Sequence, residues 1–248
     1  MKTLQSILLV SVMLSACSVK QSAPKGVVAT TAWTAAYAVA AGASDVSVLA
    51  PYEMVHPSEY ELRPGDISRL THASLVVYAG YELMVDQIKE GLKISPEKLV
   101  AITTSYSVEE IEASVMQIAK QLGTEDIAAG NIEEIKRLFA EGRETVQQKG
   151  LDKETVLVHF FQESFIRELG IDIRLVFGPA PPEPRRILDI TRANPSLIID
   201  NAHNPVGGPM KETLPEAKYK MLLNFPGMYG TRSLADVIEF NLKQLVEP

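Results

Sequence analysis

Between Thr103 and Lys153 no segment of this chain reads as a β-strand, while on both sides of that gap short apolar runs alternate with helical patterns. In the first half, Gly26 to Thr30, Val46 to Leu49, Leu75 to Tyr78 and Lys98 to Ile102 are predicted strands. Helices are predicted between them at Trp33 to Ala41, Asp66 to Ala73 and Met84 to Leu92. In the second half the predicted strands are Thr155 to Val158, Asp172 to Phe177, Leu197 to Asp200 and Tyr219 to Leu223. The helices there are Phe160 to Leu169, Arg185 to Ala193 and Ser233 to Val246. Strands and helices alternating at this spacing make βα units, and βα units make parallel sheets. The middle is helical: Ser107 and Glu110 have capping-box spacing ahead of Ile111, Val115, Ile118 and Leu122, and Ile127 to Gln148 carries Ile132, Ile135, Leu138 and Phe139 on one side. The expected fold class is α/β, two lobes with mostly parallel sheets joined by a long helical connection. The expected bounds are 26–122 for the N-terminal lobe, 123–152 for the linking helix and 153–248 for the C-terminal lobe.

The N-terminus narrows the compartment. Lys2, an apolar stretch from Ile7 to Leu14 and small residues before Cys17 read as a cleavable export signal over 1–16, too short for a permanent span of about 20 apolar residues. Leu14-Ser15-Ala16-Cys17 is similar to a bacterial lipobox, in which the cysteine is acylated. Cys17 is the only cysteine in the chain, so it is the lipidation candidate. Residues 17–25 then serve as a tether. The expected location is the cell envelope, lipid-anchored in the periplasm or on the outer face of the cytoplasmic membrane.

A lone cysteine excludes disulfides and cysteine-rich zinc sites, leaving His, Asp, Glu and Asn as the donors for any metal. Lys2 is the only charged residue in 1–16, so removing that segment changes 24 basic residues to 23 against 31 acidic ones, a net charge of −8. That balance argues against nucleic acid.

In open parallel sheets ligands bind beyond the carboxyl ends of the strands. His56 follows the second predicted strand through a loop, and Pro57 biases it to an extended conformation. His159 follows Val158 directly, and His203 follows Asp200 by three residues. His72 lies at the opposite edge and is expected to have no ligand role. Three imidazoles from two halves suit zinc, with manganese as the alternative if more oxygen donors join. Candidates for the fourth ligand are Glu59, Glu163, Asp200 or water, with Asp200 also able to orient His203. Asn201 to Pro209 reads as a tight loop, and its Gly207-Gly208 lacks the spacing of a phosphate loop.

From about Val27 to Leu245 the chain resembles the zinc- and manganese-binding lipoproteins that are the substrate-binding components of bacterial ABC transporters. The resemblance is carried by VVATTAW, HPSEYELRPGDISRL followed by ASLVVYAGYELM, VLVHFFQESFIRELGI, and PEPRRILDI before SLIID. It implies a metal held between two α/β lobes by histidines after the strands, with His56 and His159 in ligand regions, although His56 is displaced by two residues. It also implies a monomer, with an ABC permease as partner. Three features depart from the family: ITTSYSVEE lacks the histidine expected after the fourth strand, Asn224 stands where a carboxylate is expected, and the histidine-rich loop is missing. His203 is the candidate replacement for the lost ligand. The leading expectation is non-catalytic capture of zinc, or else manganese, for a permease, with affinity falling below about pH 6 as ordinary imidazoles protonate. The alternative is a surface adhesin or accessory lipoprotein with an altered site. A zinc hydrolase ranks last, because no HExxH-type spacing is present.

Overall fold

A computed structural model describes residues 26–247. The export signal, Cys17 and the tether lie outside the described residues. The first sheet contains β1 (Val27–Ala29), β2 (Val46–Val48), β3 (Leu75–Tyr78) and β4 (Leu99–Ala101) in the order β2-β1-β3-β4, every pair parallel. The second contains β5 (Val156–His159), β6 (Ile173–Phe177), β7 (Leu197–Asn201) and β8 (Lys218–Leu222) in the order β6-β5-β7-β8, again all parallel. The two sheets are thus built alike, and each gathers all its strand ends along one edge. The architecture is the expected α/β one with two parallel sheets.

The helices explain why the sequence alternates as it does. Helix α1 (Ala32–Ala40) begins at Thr31, which exchanges capping bonds with Thr34, and buries Ala32, Ala35, Ala36 and Ala38. Small side chains let it lie close to its neighbours α3 (Val108–Leu122) and α4 (Glu125–Lys149). At about 1.5 Å per residue the 25-residue α4 is about 37 Å long. Its Ile132, Ile135, Leu138, Phe139 and Val146 are buried, and together with Val27, Val77, Val158, Ile199 and Val237 they belong to one apolar core that includes strands of both sheets. Helices α2 (Pro64–His72), α5 (Glu163–Glu168), α6 (Pro184–Ala193) and α8 (Leu234–Val246) answer the other predicted helices except the one at Met84 to Leu92.

Four local expectations are corrected. Ser107 makes no side-chain cap; Glu168 Oε2 accepts from the Val108 N–H at 3.1 Å instead, a carboxylate 60 residues away outcompeting the local hydroxyl. Gln87 to Gly91, expected as α-helix, forms a π-turn. The helix expected from Phe160 opens as a 3-10 turn, Phe160–Gln162, before α5. Within the supposed loop Asn201 to Pro209 a helix begins, α7 (Gly208–Thr213), with Pro209 in its first turn, where a missing N–H costs nothing.

Contacts besides α4 tie the sheets together. The Tyr106 N–H donates to Ser164 Oγ at 3.2 Å. The Arg232 guanidinium lies 4.3 Å from the Tyr52 ring centroid and 3.9 Å from Glu53. Gly227, at φ +130°, approaches the Tyr52 carbonyl so closely that a methyl group there would lie 2.1 Å from the oxygen. Among the described residues no helix is long and apolar enough to cross a membrane.

Candidate functional site

The strand ends of the two sheets flank a cleft of about 970 Å³. From the first sheet come Thr31 and Trp33 after β1, Val55 to Glu59 after β2, Tyr81 after β3, and Thr104 and Ser105 after β4. The second supplies Phe160, Phe161, Glu163 and Ser164 after β5, Asn201, His203 and Asn204 after β7, and Asn224 and Phe225 after β8.

Each loop is held by identifiable bonds. Asp66 in α2 accepts from Tyr60 Oη and from the Arg63 N–H, both at 2.8 Å, and the Leu83 N–H donates to the Ser58 carbonyl at 2.9 Å; these fix the stretch after His56. Buried Glu82 accepts from Thr30 Oγ1 at 2.6 Å and from the Gly80 N–H at 2.7 Å, which sets the turn carrying Tyr81. Tyr37 Oη donates to the Ser105 carbonyl at 2.6 Å and pins the loop that lacks the expected histidine.

The three histidines do not come together. His56 and His203 both line the cleft, and they are near enough that charge on His56 disfavours charge on His203. His159 is fully buried at the end of β5 and is not among the cleft residues. Its Nδ1 accepts the Phe161 N–H at 3.1 Å, and its Nε2 is buried without a partner. Phe177 meets its ring edge-on, and a methyl group at Gly178 would lie 2.6 Å from Nε2. His159 therefore acts as a buried cap. Burial also lowers its pKa, partly offset by the Asp200 carboxylate. His72 stays exposed on α2, its Nδ1 bonded to the Ser68 carbonyl.

His203 is different. It is 3% exposed, stacks on Phe225 with ring centroids 3.6 Å apart, and neither ring nitrogen makes a well-formed hydrogen bond, although the Asn224 amide lies close enough to interact with the ring. Burial is the main force pushing its pKa down to about 4; the amide of Asn224 beside it opposes that shift, and His56 adds to it. The ring is neutral at physiological pH with a lone pair to donate. Asn224 Oδ1, Asn201 Nδ2 and Trp33 Nε1, all on cleft residues, are also buried without partners. Buried polar atoms ordinarily find partners; besides these four cleft residues, Tyr106 Oη, His159 Nε2 and Gln162 Oε1 are buried without one.

The carboxylate candidates are mostly engaged. Asp200 is buried and accepts from the Asn201, Val206 and Gly207 N–H groups and from Tyr219 Oη; it shapes the loop carrying His203 rather than bonding the ring. Glu163 takes two bonds from Arg167 at the cleft edge. Glu59, in the 3-10 turn Pro57–Glu59, is exposed and lines the cleft. Among the described residues no three of His, Cys, Asp and Glu form a group able to hold a metal. Trp33 enters the sequence reading only as the end of VVATTAW and Phe225 not at all, yet Trp33 stacks on Tyr106 and lies 6.3 Å from Phe225, continuing the aromatic row that ends at His203.

No protein-family model and no curated relative matches the sequence. Solved structures do. The chain superimposes on FpvC, a substrate-binding protein from P. aeruginosa in complex with nickel, with TM-score 0.70 and 18% identity over 90% of this chain and 96% of that one. It has the fold of the metal-binding substrate-binding proteins. The laminin-binding protein Lbp of Streptococcus pyogenes gives TM-score 0.67 and 18% identity, covering 90% of this chain and 98% of that one. A manganese-bound periplasmic metal-binding protein from candidatus liberibacter asiaticus gives 0.61 and 12% over the same shares. In the substrate-binding-protein fold of this chain, the cleft with the unpartnered atoms lies between the two sheets.

Proposed function

We propose that this protein is an exported, lipid-anchored binding protein that captures a divalent transition metal in its cleft and delivers it to an ABC permease, without turnover. The observation that carries the reading is His203, a buried imidazole held neutral with both nitrogens unpartnered. His56 faces the same cleft, and Asn224 Oδ1 and Glu59 are the oxygen donors within it. Imidazole favours zinc over manganese, which prefers oxygen. The metals named for the structural neighbours, nickel and manganese, support the metal class.

The single tryptophan lies in the cleft, so its fluorescence reports on occupancy. Titrating the mature chain with zinc and with manganese is expected to give saturable, stoichiometric binding that His203→Ala abolishes. Stoichiometric binding that persists in His203→Ala would remove the basis of the proposal. The accessory-lipoprotein reading draws on the missing three-ligand group; it gains if no divalent metal binds.

A further inference from the structure

Resting on the metal-capture reading, we propose that the cargo is a metal ion already held by a small aromatic chelator, with His203 completing its coordination.

The first argument is a shortage of donors. Zinc takes four ligands, and other divalent transition metals take up to six. His159 caps the Phe161 N–H and does not line the cleft, Asp200 accepts from four donors, and Glu163 is paired with Arg167. His203 and His56, with the Asn224 amide and Glu59 at the lip, remain. A bare ion would be left with weak or distant partners.

The second argument is size. A water molecule occupies about 30 Å³ and small-organic sites about 300–1,000 Å³. The cleft, at about 970 Å³, belongs to the second class.

The third is the chemistry of the walls. Trp33, Phe161 and Phe225 lie within, and Val55, Tyr81 and Phe160 stand on the lips with 48%, 54% and 52% of their surface in water. These lip residues come from both sheets. A hydrated cation gains nothing by covering them, whereas a planar organic face stacks on them. Trp33 Nε1 and Asn201 Nδ2 are N–H donors without acceptors. An N–H donor cannot ligate a cation; it fits an oxygen acceptor such as a carboxylate or carbonyl on the chelator. The ligand class is therefore a metal chelate with an aromatic plane and oxygen acceptors.

The test is isothermal titration calorimetry of the mature chain with zinc alone, with 1:1 zinc picolinate, which is planar and carries a carboxylate, and with 1:1 zinc iminodiacetate, which is not aromatic. Zinc picolinate is expected to bind at least ten-fold tighter than either of the others. In Phe160→Ala and Tyr81→Ala, both at exposed positions, the ratio of picolinate to bare-zinc affinity is expected to fall towards one. Bare zinc binding as tightly as zinc picolinate overturns this inference and leaves metal capture standing. Equal binding of zinc iminodiacetate, or an unchanged ratio in the two variants, also overturns it. No binding in any form overturns both readings.

Discussion

Replacing Gly227 by alanine tests how closely the two halves are pressed together. The new methyl group would lie 2.1 Å from the Tyr52 carbonyl oxygen and 3.1 Å from its carbon, all rigid backbone. Carbon and oxygen settle no closer than about 3.3 Å, so the two loops must separate by about 1 Å. Residue 227 also sits at φ +130°, which only glycine adopts readily. Gly230 separates the two effects, because it too has positive φ, +79°, but a methyl group there meets nothing within 4 Å. Gly230→Ala is expected to cost about 1–2 kcal/mol from backbone strain alone. Gly227→Ala should cost at least that strain, since φ +130° lies outside the left-handed α region, plus about 1–3 kcal/mol for the forced displacement. Urea unfolding followed by Trp33 fluorescence reads both. If Gly227→Ala is no less stable than Gly230→Ala, the close approach of the Tyr52 and Gly227 loops is wrong.

Stability should also depend on pH through His203. Its folded pKa of about 4 lies below the ordinary 6.5, so the unfolded chain binds the proton first. The contribution is fully present above about pH 6.5 and is lost as pH falls towards 4, about 3 kcal/mol in all; His203→Gln should flatten that part of a urea-midpoint profile, and an unchanged profile contradicts the neutral buried ring. His159→Leu strips the Phe161 N–H of its acceptor and should cost about 1–3 kcal/mol in urea unfolding while zinc stoichiometry stays at the wild-type value; loss of zinc binding in a folded variant would return His159 to the ligand set. Asp200→Asn places an amide nitrogen among four donors and should destabilise by about 2–4 kcal/mol, with Tyr219 becoming easier to ionise once the neighbouring carboxylate charge is gone. A spectrophotometric titration of the tyrosines checks the second effect.

The sheets were legible because each strand is a short apolar run bounded by turn residues, and Val27 to Ala29 or Leu197 to Asn201 are buried along their whole length. The histidines were legible as strand-end residues, since parallel strands place their ends at one edge. Which way a strand-end side chain turns was not. His159 is drawn inward because Gly178, on the neighbouring strand's exit, leaves room for its ring. His203 is held under Phe225 by a loop that Asp200 organises across seven residues. Both depend on partners remote in sequence. The cap expected from Ser107 is absent for the same reason, and the helix at Gly208 is hidden because Gly-Pro reads as a turn, although proline in a first helical turn is the available cue.

Because one apolar core runs through α4 and into both sheets, and the Tyr106–Ser164 bond bridges them near the cleft, the molecule is closer to a notched block than to two plates on a hinge. Wide opening would expose that core to water. In the proposed metal-capture role, loading and unloading would then fall to the lip segments around Tyr81 and Phe160.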